Sequence, residues 1–95
     1  MTAYVIFIRD SIKDAEEMAT YGQKAGAARG DHAITALAFY GAVETLEGPK
    51  VDGAVLLSFP DAAAAHAWYD SPAYQDALQH RLKGADYRVL IVEGL

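Results

Sequence analysis

Residues 59–84 read FPDAAAAHAWYDSPAYQDALQHRLKG, and the punctuation inside this stretch decides the fold. Phe59 closes an apolar run, Pro60 halts it, and Asp61 offers a side-chain acceptor where a helix needs an N-cap. A helix is predicted over about Ala62 to Asp70. Ser71-Pro72 breaks it and restarts it. Ser71 can cap the new segment, and Pro72 suits a first helical position because the N–H it lacks would have no partner there. The restarted helix sets Tyr74, Ala77, Leu78 and Arg81/Leu82 on one stripe and stops at Gly84. A strand enters this unit and another leaves it, from Tyr87 to Glu93.

Upstream, the chain repeats the same grammar. Ala3 to Arg9 reads as a strand with six consecutive apolar residues, so both of its faces are expected to be buried. Asp14, with Glu17 three residues on, has capping-box spacing and opens a helix over about Ala15 to Ala28. Its narrow inner face is Ala15, Met18, Tyr21, Gly22, Ala25 and Ala28, and Gly30 can terminate it in a left-handed conformation. A second strand is predicted from about Ile34 to Glu44, interrupted near Gly41. Ile34, Ala36, Ala38 and Tyr40 would share one face, and Thr35, Leu37 and Phe39 the other. The turn Leu46-Glu47-Gly48-Pro49-Lys50 leads into a third strand, Val51 to Phe59.

The order strand, helix, strand, strand, helix, strand specifies an α+β, ferredoxin-like βαββαβ plan over residues 1–95, one domain, with a four-stranded antiparallel sheet and its helices on one face. The last strand, like the first, is apolar on both sides, with Val89 and Ile91 on one and Leu90 and Val92 on the other. Helices cover a single face, so the second needs another cover. The same face of a second copy supplies it at least cost, and a homodimer through the sheet face is expected.

Composition excludes several functions. The chain has 8 basic and 13 acidic residues and a net charge of −5, which gives no basic footprint for nucleic acid or an anionic membrane. It has no cysteine, hence no disulfide, thiolate nucleophile or cysteine zinc site, which fits a reducing compartment. No leader or membrane span is read, so the expected location is cytoplasmic. Of the apolar 53%, 19 residues are alanine, small enough to let backbones approach closely.

The run Phe59-Pro60-Asp61 followed by Trp68-Tyr69-Asp70-Ser71-Pro72-x-Tyr74-Gln75, with Gly41-Ala-Val-Glu44, Leu46-Glu47-Gly48 and the terminal Ile91-Val92-Glu93-Gly94, resembles a small bacterial family known as domain of unknown function 1330. The resemblance covers nearly the whole chain. It implies the dimeric α+β barrel superfamily, in which two ferredoxin-like sheets pack face to face. One departure is Asp14-Ala15, where such proteins often have Asp-Pro; alanine suits the position equally. The wider superfamily includes cofactor-independent monooxygenases, haem-degrading enzymes, isomerases and ligand-binding domains. The resemblance therefore implies small-molecule work without choosing a reaction.

Several residues carry the chemistry that such work needs. Trp68, Tyr69 and Tyr74 flank the helix break, where aromatic walls suit a planar ligand or simply pack the break against the sheet. Arg81 lies on the same mostly apolar stripe, where its fork can bind a ligand carboxylate or an acid such as Glu44 or Glu93. His66 and Asp70 are four apart on one helix; a carboxylate there would make His66 a general base, and the other reading is a solvated helix pair. The hydroxyls of Tyr4 and Tyr40 need partners if buried, and Tyr40 is counted with Trp68, Tyr74 and Arg81 as ligand-binding. His32, His66 and His80 are scattered, so no metal site is expected. Neither phosphate-cradling glycine motif is present, and no cofactor is expected. The expected function is the binding or transformation of a small organic molecule in a pocket between helices and sheet, with proton transfer or oxygenation as the chemistry. The alternative is a non-catalytic dimeric module that binds a ligand or a protein.

Overall fold

A computed structural model describes residues 1–95. The chain forms β1 (Ala3–Ile12), α1 (Ala15–Ala27), β2 (Thr35–Phe39), β3 (Gly53–Phe59), α2 (Ala62–Tyr69), α3 (Pro72–Gly84) and β4 (Ala85–Glu93). The strands make one antiparallel sheet in the order β2-β3-β1-β4, with the helices over one face. This is the ferredoxin-like α+β plan.

The local signals act as their chemistry dictates. The Asp14 carboxylate accepts from the N–H groups of Glu16 and Glu17 at 3.0 and 3.3 Å. The reciprocal half of a capping box is not made, because the Asp14 N–H donates instead to the Gly84 carbonyl. Glu17 is released to meet His80 at 2.7 Å, tying α1 to α3. Asp61 accepts from Ala64 N–H at 2.7 Å, and Ser71 Oγ accepts from Tyr74 N–H at 3.3 Å, so the break yields two separately capped helices. Gly84 lets α3 end against α1: a Cβ there would stand 2.9 Å from Met18 Cγ and 3.1 Å from the Met18 backbone nitrogen.

The core lies between helices and sheet. Val5 and Phe7 of β1, with Val55, Leu57 and Phe59 of β3, meet Trp68, Tyr74, Ala77 and Leu78. Each large apolar side chain buried here contributes about 1.5–3 kcal/mol relative to exposure. The opposite face carries Ile6, Ile8, Leu56, Leu90 and Val92, with Leu90 and Val92 43% and 45% exposed.

The second strand departs from the sequence expectation in length and in facing. It ends at Phe39, not Glu44, because Tyr40 adopts a left-handed φ of 53° and turns the chain away. A register shift between Ala36 and Ala38 sets Ala36 opposite Leu57 but Ala38 opposite Leu56. One extra residue exchanges the faces beyond it. Phe39, paired with Val55, therefore lies on the helix side, and Ala38 lies on the outer face.

Candidate functional site

Apart from Met18 and Tyr21, the inner face of α1 is built from residues too small to reach the sheet. Ala15, Ala19, Gly22, Ala25 and Gly26 line a cleft above β2 and β3, and a Cβ added at Gly22 or Gly26 would meet nothing within 4 Å. The cleft measures about 500 Å³, and 13 of its 17 lining residues are hydrophobic. That size and character suit a small organic ligand. Phe7, Val55 and Leu57 form the floor, Trp68 enters from α2, and Phe39 and Tyr40 come from the end of β2.

Tyr40 owes its place to its backbone. A left-handed conformation at a non-glycine residue costs about 1–2 kcal/mol and must be held by its surroundings. Here the hydroxyl pairs with Tyr87 at 2.5 Å, and the guanidinium carbon of Arg9 sits 4.5 Å from the ring centroid. Arg9 is itself fixed by Asp52 at 2.7 Å. Gly53 makes room for both: a Cβ there would lie 3.0 Å from Arg9 Nη2 and 3.0 Å from Tyr40 Cδ1. Burial raises the Tyr40 pKa, the Tyr87 bond raises it further, and the charges of Arg9 and Arg81 oppose this.

Beside the cleft, behind Phe7 and Tyr21, lies a buried cation. Arg81 is 4% exposed, and no ion pair, whether to Glu44, Glu93 or any other acid, engages it. Its guanidinium carbon sits 4.9 Å from the ring centroid of Tyr87, 5.7 Å from Phe7 and 5.8 Å from Tyr21. Cation–π contacts at such a desolvated site offset part of the cost of burial, at about 2 kcal/mol for a good one. Arg81 Nε has no hydrogen-bond partner, and neither has Trp68 Nε1 in the cleft wall. A buried orphan donor costs about 1–3 kcal/mol. Tyr21 and Tyr74 join hydroxyl to hydroxyl at 2.8 Å. Burial raises both of their pKa values, while the Arg81 charge pulls each down. Tyr21, Tyr40 and Tyr74 are protonated at neutral pH, and in each hydroxyl pair one proton is shared within the pair.

The residues singled out from sequence fall in three places. Tyr40 and Trp68 line the cleft. Tyr74, fully buried, and Arg81 lie behind the lining, in contact with Tyr21. His66 is exposed on α2 and is not part of the lining; its backbone carbonyl accepts from the Asp70 N–H, but its imidazole does not pair with the Asp70 carboxylate. The reason is the helical face: Ala65 and Trp68 take the inward positions, which turns His66 to solvent. The helix break is not the mouth of the cleft. The hollow beside it is bounded by Ser71, Pro72, Ala73 and residues of the 27–32 turn, and contains none of the three aromatic side chains. No group of three or more His, Asp or Glu side chains comes together.

Sequence reasoning passed over Arg9, Tyr21, Phe39 and Tyr87. Arg9 reads as an ordinary strand end. The available signal was α1 itself, whose alanines and glycines face a strand with an equally small Ala36 and leave space between them.

The family model described as Domain of unknown function (DUF1330) matches residues 2–95. The chain belongs to that family. Among solved structures, the DUF1330 chain is similar to the RPA0582 protein of unknown function from Rhodopseudomonas palustris, with 20% identity, 99% of this chain and 82% of that chain covered, and a TM-score of 0.79. It is also similar to a dimeric ferredoxin-like protein of unknown function from Jannaschia sp., with 16% identity, coverage of 99% and 100%, and a TM-score of 0.66. A third is SnoaB from Streptomyces nogalater, described as a cofactor-independent oxygenase, with 12% identity, coverage of 98% and 91%, and a TM-score of 0.60. At these identities the likeness establishes the fold. No curated protein matches the chain. No helix is long and apolar enough to cross a membrane.

Proposed function

We propose that this protein binds a small organic molecule in the cleft between α1 and the sheet, as a cytoplasmic homodimer joined through its outer sheet faces into an α+β barrel. One observation carries the reading: a cleft of about 500 Å³, largely apolar, bounded by the single tryptophan and by a tyrosine held in a costly conformation. The dimer rests on Ile6, Ile8, Leu56, Leu90 and Val92, which form an apolar face that the helices leave uncovered. The dimeric neighbour from Jannaschia sp. supports it.

A binding role is favoured over acid–base catalysis because no His, Asp or Glu lines the cleft. A general base must come within hydrogen-bond reach of the proton that it takes, and His66 is turned away. The second reading, oxygenation of an electron-rich substrate that enters the cleft already deprotonated, draws on the likeness to SnoaB and asks no side chain to act as base. Native mass spectrometry of the protein purified from its own host tests the proposal. A dimer carrying a small adduct, lost in Gly22→Leu, is the expected result. A monomer, or an adduct retained by the filled variant, overturns it.

A further inference from the structure

The protein as a whole is acidic, at −5, but its cleft has the opposite sign. Of four arginines in the chain, Arg9 and Arg29 line the cleft and a third, Arg81, lies one ring behind it; no carboxylate lines it. These three cations are not equivalent. Arg9 is offset by Asp52. Arg29 is exposed and donates to the Ile34 carbonyl. Arg81 is buried, has no acid partner, and faces the cleft across Phe7 and Tyr21.

The polar atoms point the same way. Both orphaned buried side-chain atoms in the protein, Trp68 Nε1 and Arg81 Nε, are donors. Trp68 lines the cleft, but its Nε1 is itself shielded, so that donor faces protein atoms and not the open space. The Tyr21 and Tyr40 hydroxyls, paired with those of Tyr74 and Tyr87, add no negative charge at neutral pH. A neutral hydrocarbon would leave all of this unanswered. A cation would meet only like charge.

We propose that the cleft selects an organic anion, a ring-sized apolar body bearing one carboxylate or equivalent oxyanion. In this scheme Arg81 supplies the selecting charge through the Phe7–Tyr21 wall, and Trp68 packs against the ligand's apolar body. The inference rests on the reading of the cleft as the ligand site. Arg81 acts here as a positioning residue, since a ring layer separates it from the ligand. A unit charge at ~8–10 Å across a medium of effective dielectric ~20 gives a preference on the order of tenfold once the anion's own desolvation is counted.

Isothermal titration calorimetry of the full-length protein with 2-naphthoate and with 2-naphthamide, its neutral isostere, tests this. Naphthoate is expected to bind about tenfold more tightly. In 1 M NaCl, where the Debye length is ~3 Å, that preference should persist within about threefold, because salt screens a buried charge poorly. Arg81→Met should bring naphthoate down to the level of naphthamide. If that variant does not fold, Arg9→Met read in 1 M NaCl decides: a preference that it keeps belongs to Arg81, and one that it loses belongs to Arg9 and overturns the role of Arg81. Equal affinities for the two probes would overturn anion selection and leave the cleft reading standing. A preference abolished by salt would assign the selecting charge to exposed Arg29 and overturn the role of Arg81. Binding of neither probe would remove the cleft reading and this inference with it.

Discussion

Gly22→Leu separates the stability of this protein from its binding capacity, and the two should move in opposite directions. Gly22 lies within α1, and a Cβ built there meets nothing within 4 Å. Replacing a helical glycine with leucine gains about 0.8 kcal/mol of helix propensity. The new side chain enters the cleft between Phe7, Ala36 and Leu57, where partial burial adds about 1 kcal/mol. The sum is about 1–2 kcal/mol, which for a domain of this size raises Tm by about 4–16 °C. The same four carbons occupy the space that a ligand ring would fill, and affinity for 2-naphthoate should fall at least about tenfold. Differential scanning calorimetry and titration calorimetry on one preparation give both readings. A Tm that falls would show that α1 lies flush on the sheet, contrary to the structure. Higher stability with undiminished binding would place the ligand elsewhere.

Leu56 pairs with Ile6 and Ala38 at the centre of the outer sheet face. In a two-fold dimer Leu56→Asp buries two carboxylates, each at a cost of several kcal/mol, so association should weaken on the order of 10³–10⁴-fold by sedimentation equilibrium. An unaltered dimer would mean that another surface joins the protomers. Gly84→Ala sets a Cβ 2.9 Å from Met18 Cγ, and the overpacking cost of about 1–3 kcal/mol should outweigh any gain in helix propensity in urea unfolding; a neutral result would contradict the close approach of α3 to α1. The buried tyrosines predict alkaline lability. Tyr21 and Tyr74 have folded-state pKa values raised above the ordinary 10.0, so the unfolded chain releases their protons first. Stability is then flat below about pH 9 and falls above pH 10 by about 1.4 kcal/mol per pH unit for each such tyrosine, until the folded groups titrate. Urea unfolding at pH 9, 10 and 11 measures that slope, and Tyr21→Phe should reduce it; a slope that the variant leaves unchanged would locate the titration elsewhere.

The parts of this structure that were legible in the sequence are those set by local chemistry. Asp61, Ser71 and Pro72 mark two helix starts, and each does what its backbone and side chain require. The runs through Val5–Ile8 and Val89–Val92 announce the adjacent strands β1 and β4, whose inner face is covered by the helices while Leu90 and Val92 on the outer face stay exposed in one protomer. What could not be read depends on contacts distant in sequence. Nothing local to Leu37 signals a bulge, because the register of β2 is settled by its pairing with β3. Nothing near Tyr40 signals a left-handed φ, because Tyr87 and Arg9, far along the chain, hold it there.

The candidate site shows the same division. Trp68 and Tyr74 were visible as aromatic residues at a helix break, but the two separate in space: Trp68 reaches the cleft and Tyr74 backs it. Arg81 was visible as a cation on an apolar stripe, yet that position alone does not show that its surroundings are rings and not a carboxylate. His66 and Asp70 have the spacing of an interacting pair, but spacing on a helix does not fix which way the face points. The small residues of α1 were legible as a narrow face. Whether such a face packs or leaves a cleft depends on what stands opposite, and here that includes Ala36.

The most direct test of the central claim uses the single tryptophan. In a ¹H–¹⁵N spectrum the Trp68 indole N–H gives one side-chain resonance from the cleft wall, and that N–H has no partner in the protein. Titration with 2-naphthoate should shift it through the ring current of the bound naphthalene, together with backbone amides of α1 from Ala15 to Gly26. Shifts confined to the outer sheet face or to residues 41–50, with the indole resonance unmoved, would contradict the account.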